Sequence, residues 1–101
     1  MDYNASVRIE ETDVYRRWIN SLKDRTARAR VQVRVDRPVH GNPGRQRNLT
    51  GRVAELKMDF GPGYRVYYTR QGNQRLVLLA GGDKSTQNKD IELAIHLAKN
   101  L

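Results

Sequence analysis

The side chains able to do chemistry in this 101-residue chain crowd between Gly51 and Thr86. Val53 to Phe60 alternates, with Ala54, Leu56, Met58 and Phe60 on one side and Val53, Glu55, Lys57 and Asp59 on the other. A strand sends successive side chains to opposite faces, so Glu55 and Lys57 share one face of one strand. Arg65 and Tyr67 share a facing in the next run, Tyr64 to Thr69, and Lys84 follows a third run, Leu76 to Ala80. A carboxylate can take or give a proton, and fixed cations stabilise developing negative charge. The same residues also have plainer readings. Glu55 and Lys57 can be the solvated face of a half-buried strand, and Arg65 can pair with Asp59 across a hairpin. Lys84 can simply flank the last helix, and Tyr64, Tyr67 and Tyr68 can be packing residues.

The elements that would position these groups are legible from period and punctuation. Gly61-Pro62-Gly63 and Gln71-Gly72-Asn73-Gln74 read as tight turns, which makes the three runs an antiparallel meander. Leu76 to Ala80 is nearly continuous in apolar residues, as an interior strand should be. Ser6 to Glu10 reads as a short opening strand at a sheet edge. Thr12 or Asp13 is a plausible N-cap for a helix whose Tyr15, Trp18, Ile19 and Leu22 lie on one face, with Trp18 in the core. Asp24 to Val39 is ambiguous: Val31, Val33 and Val35 alternate as in a strand, while Ala27, Val31 and Val35 recur as in a helix. Arg25, Arg28, Arg30, Arg34 and Arg37 make that segment a solvated charged face or a phosphate-tracking surface. Pro38 to Asn48, with His40, Arg45 and Arg47, reads as a loop that connects elements or touches a nucleic-acid backbone. Ser85 or Thr86 would cap a final helix with Ile91, Ala94, Ile95, Ala98 and Leu101 on one face and His96 exposed off that stripe.

Length sets one domain over residues 1–101. Lysine and arginine number 19 against 11 acids, a net charge of +8. That excess attracts a polyanion, an anionic membrane surface or an acidic protein, and nucleic acid is the commonest of these for a small basic domain. With no cysteine and only His40 and His96, far apart, thiolate sites are excluded and a zinc site is disfavoured. No apolar run spans a bilayer and the first residues lack a signal pattern, so no membrane role and a cytoplasmic location are expected. The acceptor patterns Asn4-Ala5-Ser6 and Asn48-Leu49-Thr50 then carry no weight. The stretch Gly81 to Thr86 is not a phosphate-binding P-loop, because Asp83 breaks its required ending.

Glu55-Leu56-Lys57, Gly61-Pro62-Gly63-Tyr64-Arg65-Val66-Tyr67-Tyr68, Leu78-Leu79-Ala80-Gly81-Gly82-Asp83-Lys84-Ser85-Thr86-Gln87 and Asp90-Ile91 together resemble the RelE/ParE toxin superfamily of type II toxin–antitoxin systems. The narrower resemblance is to the HigB-like branch, the addiction module killer proteins. Trp18-Ile19, Leu22-Lys23-Asp24, Ala27-Arg28-Ala29-Arg30 and Gly41-Asn42 match that branch too, so the resemblance covers nearly the whole chain. It implies an α+β fold of RelE/ParE type, with two N-terminal helices packed on a twisted, mainly antiparallel sheet and a C-terminal helix. Residues 25–37 are then helical.

For function the resemblance implies a toxin, usually a ribosome-dependent mRNA endoribonuclease working without metal or cofactor. A cognate antitoxin, helix-turn-helix and HigA-like, would neutralise it, and operator DNA would be bound only through that complex. The alternatives are a ParE-like inhibitor of DNA gyrase without nuclease activity and a non-catalytic RNA-binding module. Carried onto this chain, the family pattern makes Glu55 the general base and Arg65 the clamp on the scissile phosphate. Lys57 and Lys84 become charge stabilisers or the acid. The RNA contacts would be Tyr67, by its shared facing with Arg65, with Arg45 and Arg47 of the basic loop and Arg30 of the basic segment. Several RelE-like toxins carry a tyrosine or histidine after the third strand. This chain has only His96 there, so acid catalysis would fall to Lys84, Lys57 or Tyr67, or to the ribosome-bound geometry.

Overall fold

The computed structural model describes residues 7–40, 44–72 and 74–101, with the side chains of Val39 and His40 excepted. The Gly41-Asn42 match, the Asn4-Ala5-Ser6 pattern, Asn73 of the second turn and the His40 side chain therefore lie outside the described residues. In chain order the elements are β1 (Arg8–Glu11), α1 (Asp13–Ser21), α2 (Arg25–Asp36), β2 (Gln46–Asn48), β3 (Val53–Lys57), β4 (Arg65–Gln71), β5 (Arg75–Gly82) and α3 (Gln87–Lys99). Short 3-10 turns occupy Arg37–His40, Thr50–Arg52 and Lys84–Thr86. The strands form one mixed sheet in the order β1-β5-β4-β3-β2. Only the β1–β5 pair is parallel; the other three pairs are antiparallel. The fold is α+β.

Local chemistry starts each helix where the sequence places it. Thr12 caps α1 by accepting from the Tyr15 amide at 3.0 Å, and its own hydroxyl donates to the Leu79 carbonyl at 2.6 Å, tying the helix start to β5. Asp24 caps α2 through the amides of Thr26 and Ala27. The ambiguous segment is a helix, and its valines show why. Val31 and Val35 are buried with Ala27, while Val33 is 71% exposed. A strand would have placed all three on one face. Thr86 stands at the N-cap position of α3 but makes no side-chain capping bond; Asp83 caps the 3-10 turn just before it, accepting from the Ser85 amide at 2.8 Å. The Thr86 hydroxyl instead donates to Asp90 at 2.6 Å.

Helices cover both faces of the sheet. On one face, Tyr15 and Ile19 of α1 and Val31 and Val35 of α2 pack on Leu56, Val66, Tyr68, Leu76 and Leu78. On the other, Ile91, Ala94, Ile95 and Ala98 of α3 pack on Val53, Tyr67, Val77, Leu79 and Ala80. This corrects the charged-face reading of β3: α3 lies over that face, and Val53 and Glu55 are buried. It also explains why β5 is apolar from Leu76 to Ala80. A bulge between β4 and β5 at Tyr67/Tyr68 lets Leu79 and Ala80 both serve the α3 side. At the end of β5 the Trp18 ring lies so close over Gly81 that a Cβ there would sit 2.1 Å from the indole.

Four boundaries differ from the sequence reading. Arg45 to Asn48 is not all loop, because Gln46–Asn48 forms the edge strand β2 against β3. Val53 to Phe60 is strand only as far as Lys57, and Gly81-Gly82 belong to β5. Leu101 is 49% exposed beyond the end of α3. Its place in the apolar cluster is taken by Leu97.

Candidate active site

The ladder on the α3 side of the sheet sets the site. Arg47 of β2 faces Glu55 of β3, which faces Tyr67 of β4, and Lys57 of β3 faces Arg65 of β4. The bend that brings β4 back is the Gly61–Gly63 corner, where both glycines adopt positive φ, +59° and +79°, which most side chains resist. Gly63 also supplies the carbonyl that accepts from Arg65 Nη1 at 2.8 Å.

Glu55 is the centre of the cluster. It is 4% exposed and both of its carboxylate oxygens are engaged. Arg47 Nη2 lies 3.1 Å from Oε1, Gln87 Nε2 donates to Oε2 at 2.9 Å, and Arg65 Nε lies 3.8 Å from Oε2. Arg65 is 5% exposed, and its Nε has no hydrogen-bond partner among the described residues. A carboxylate removed from water is tolerated only when paired and hydrogen-bonded. Here two guanidiniums and one amide do this. The cluster opens to solvent through a cleft of about 510 Å³ lined by Arg45, Arg47, Glu55, Lys57, Arg65 and Gln87 together with Gly44 and Gln46. Four cations against one carboxylate give its described lining a net positive charge, which attracts anions. Arg45 is balanced in part by Asp59, 2.5 Å from its Nη1. Asp59 therefore pairs with Arg45, not with Arg65.

The candidate residues do not all meet. Glu55, Lys57, Arg65, Arg45 and Arg47 share the cleft. Lys84 stands at its rim: its Cβ and Arg65 Nη1 lie 3.7 and 3.3 Å from the point a Gly63 Cβ would occupy. Lys84 itself is exposed and lines an adjoining recess with Gln87. Tyr67 corrects the expectation of an RNA contact. Its ring is 0% exposed in the cluster under α3, so it packs rather than stacking a base. Its hydroxyl faces Glu55 without a hydrogen bond of ordinary geometry. Burial, and then the Glu55 carboxylate, push its pKa well above the usual phenol value. Arg30 lies on the opposite side, where its guanidinium covers the Phe60 ring at 3.8 Å.

Gln87, the first residue of α3, was not foreseen. An amide at a helix start looks like any polar first-turn residue, and only the folding of α3 back over β3 brings it to Glu55. Among the described residues no three His, Asp or Glu side chains cluster as metal ligands. Among the described residues no helix is long and apolar enough to cross a membrane.

The chain belongs to a family that includes an uncharacterized protein of Haemophilus influenzae. The two are 40% identical over 96 residues, which is 95% of this chain and 97% of that protein. No protein-family model matches the chain, and no solved structure matches it.

Proposed function

We propose that this protein is a RelE/ParE-like toxin of the HigB-like branch, acting in the cytoplasm as a ribosome-dependent, metal-independent mRNA endoribonuclease. A cognate helix-turn-helix antitoxin neutralises it and carries the complex to operator DNA. The observation that carries this reading is the Glu55 cluster: a buried carboxylate held among Arg47, Arg65 and Gln87 at the bottom of a cationic cleft. Cleavage needs a base for the 2′-OH, cations for the phosphorane-like transition state and an acid for the leaving oxygen.

Arg47 is the partner free to move, because its side chain is 57% exposed while that of Glu55 is 5% exposed. When a scissile phosphate draws Arg47 away, Oε1 becomes free to accept the 2′-OH proton. The 2′ oxygen then bonds to phosphorus, and the bond from phosphorus to the 5′ oxygen breaks. Arg65, with Nε unspent, holds the added negative charge. Lys57, which lines the same cleft, gives a proton to the departing oxygen, and Lys84 adds positive charge at the rim.

The engagement of both Glu55 oxygens also favours a second reading, in which the cluster is a structural tie and the protein is a ParE-like inhibitor of DNA gyrase. Induced expression with and without the adjacent open reading frame separates the two. New mRNA 5′ ends during growth arrest support the nuclease. DNA breaks with an SOS response and intact mRNA support the inhibitor.

A further inference from the structure

A second, larger groove of about 810 Å³ adjoins the Glu55 cleft, between the outer face of α2 and the end of β3. Its floor is apolar, made by Ala29, Val33 and Phe60, and its rim is basic, made by Arg25, Arg30, Arg34, Arg37, Arg45 and Lys57. Among the described residues Asp59 is the one carboxylate lining it, and Asp59 is held by Arg45. Val33 is 71% exposed on a helix whose opposite face is core.

The guanidiniums of Arg34 and Arg37 converge on one spot, 3.0 and 3.1 Å from where a Cβ on Gly44 would sit. Arg34 Nη2 donates to the Arg45 carbonyl at 2.7 Å, while its Nη1 is buried with no partner among the described residues. Burial, and then Arg37, lower the Arg34 pKa. Converging like charges at the edge of the groove favour an anionic group nearby.

We propose that this groove docks an acidic amphipathic helical segment of a partner protein. Apolar side chains of that segment would seat on Val33 and Ala29, and its flanking carboxylates would reach the arginine rim. A protein fits better than RNA. One face of Phe60 is covered by Arg30 and its ring is met edge-on by Tyr64, so it offers little to a base. Seating apolar side chains at Val33 is what a helix does and a phosphate backbone does not. Gly44, Arg45 and Lys57 line both this groove and the Glu55 cleft. An occupant would therefore overhang the mouth of that cleft. The proposal does not require the cleft to be catalytic.

Fluorescence anisotropy on the full chain tests it, using a labelled peptide of about 18 residues, long enough to populate helix. The peptide carries leucines at helical spacing and glutamates beside them; the control is a scramble of equal composition and charge. The striped peptide is expected to bind about tenfold tighter than the scramble, and the margin to persist at high salt, where charge alone is screened. Val33→Asp, at an exposed site, should remove the margin, and Arg37→Glu should weaken both peptides. Equal binding of both peptides, or a margin unchanged in Val33→Asp, overturns the proposal. So does an RNA oligonucleotide that loses as much affinity from Val33→Asp as the striped peptide does, because the groove would then be a nucleic-acid track.

Discussion

Arg47 and Glu55 face each other across the β2–β3 ladder, and a 3.1 Å contact joins an exposed guanidinium to a buried carboxylate. The two ends of this contact are not equivalent. Arg47 can return to water when the contact breaks, whereas Glu55 and its other guanidinium, Arg65, cannot.

Glu55→Gln and Arg47→Ala should therefore differ in stability although both remove the same contact. Glu55→Gln leaves Arg65 buried without a counter-charge and should cost about 3 kcal/mol. Arg47→Ala removes a partner screened by solvent and should cost about 1 kcal/mol or less. Urea unfolding of both variants measures this; equal losses would mean that Arg65 is reached by water.

Gly81→Ala should be among the most damaging small changes. The added carbon would lie within 2.5 Å of three indole atoms of Trp18. The ring would have to leave its tilted contact with Tyr15 at 5.8 Å and its edge contact with Tyr64 at 6.2 Å. Overpacking and the lost ring contacts together should cost about 2–3 kcal/mol. Trp18 is the sole tryptophan, so its emission should shift to the red in the folded variant. Unchanged emission and stability would contradict the packing.

Thr12→Ala should destabilise by about 1–2 kcal/mol, because it removes the cap of α1 and the bond to Leu79 in one step. Thr12→Ser keeps both oxygen functions and should recover most of the loss. Thermal melts of the pair read this out, and no recovery in serine would place the effect in the methyl group instead.

Asp83 gives an acid-side prediction. The Ser85 hydroxyl, and then the Ser85 amide, hold its pKa below the ordinary 3.8. A carboxylate whose pKa is lowered by folding stabilises the fold above its unfolded value, and that contribution is lost as pH falls through the folded value. Asp83→Asn keeps an acceptor but cannot titrate. The stability difference between wild type and Asp83→Asn should be constant above about pH 5 and shrink as pH falls below the ordinary value. A difference that grows on acidification would reverse the assignment.

Much of this architecture is written in local pattern. Alternation around Leu56 and Val66, the glycine corner at Gly61 and Gly63, and the cap Thr12 are short-range physics, and they are where the sequence puts them. For α2 the ladder of valines satisfied two periods at once; burial of Val31 and Val35 with Val33 outside settles it. β2 carries no apolar alternation, because Gln46, Arg47 and Asn48 are all exposed. It exists by pairing with β3, which no local window shows. The burial of Glu55 and its bond to Gln87 likewise depend on α3 returning over β3. Glu55, Lys57 and Arg65 could be grouped from facing and charge, whereas Arg45 and Arg47 read as part of a basic loop and reach the cleft only through the pairing of β2 with β3. Tyr67 could not be sorted from them, since the same facing leads under the helix at Tyr67 and into the cleft at Arg65.

The most direct measurement is cleavage of a synthetic mRNA on translating ribosomes by the purified protein, with product ends identified. The nuclease mechanism predicts cuts leaving a 2′,3′-cyclic phosphate and a 5′-hydroxyl, abolished by a single 2′-deoxy nucleotide at the cut position. It also predicts loss of cutting in Glu55→Gln at a temperature where that variant remains folded. Undiminished cutting by folded Glu55→Gln, or intact mRNA with wild-type protein that still arrests growth, would contradict it.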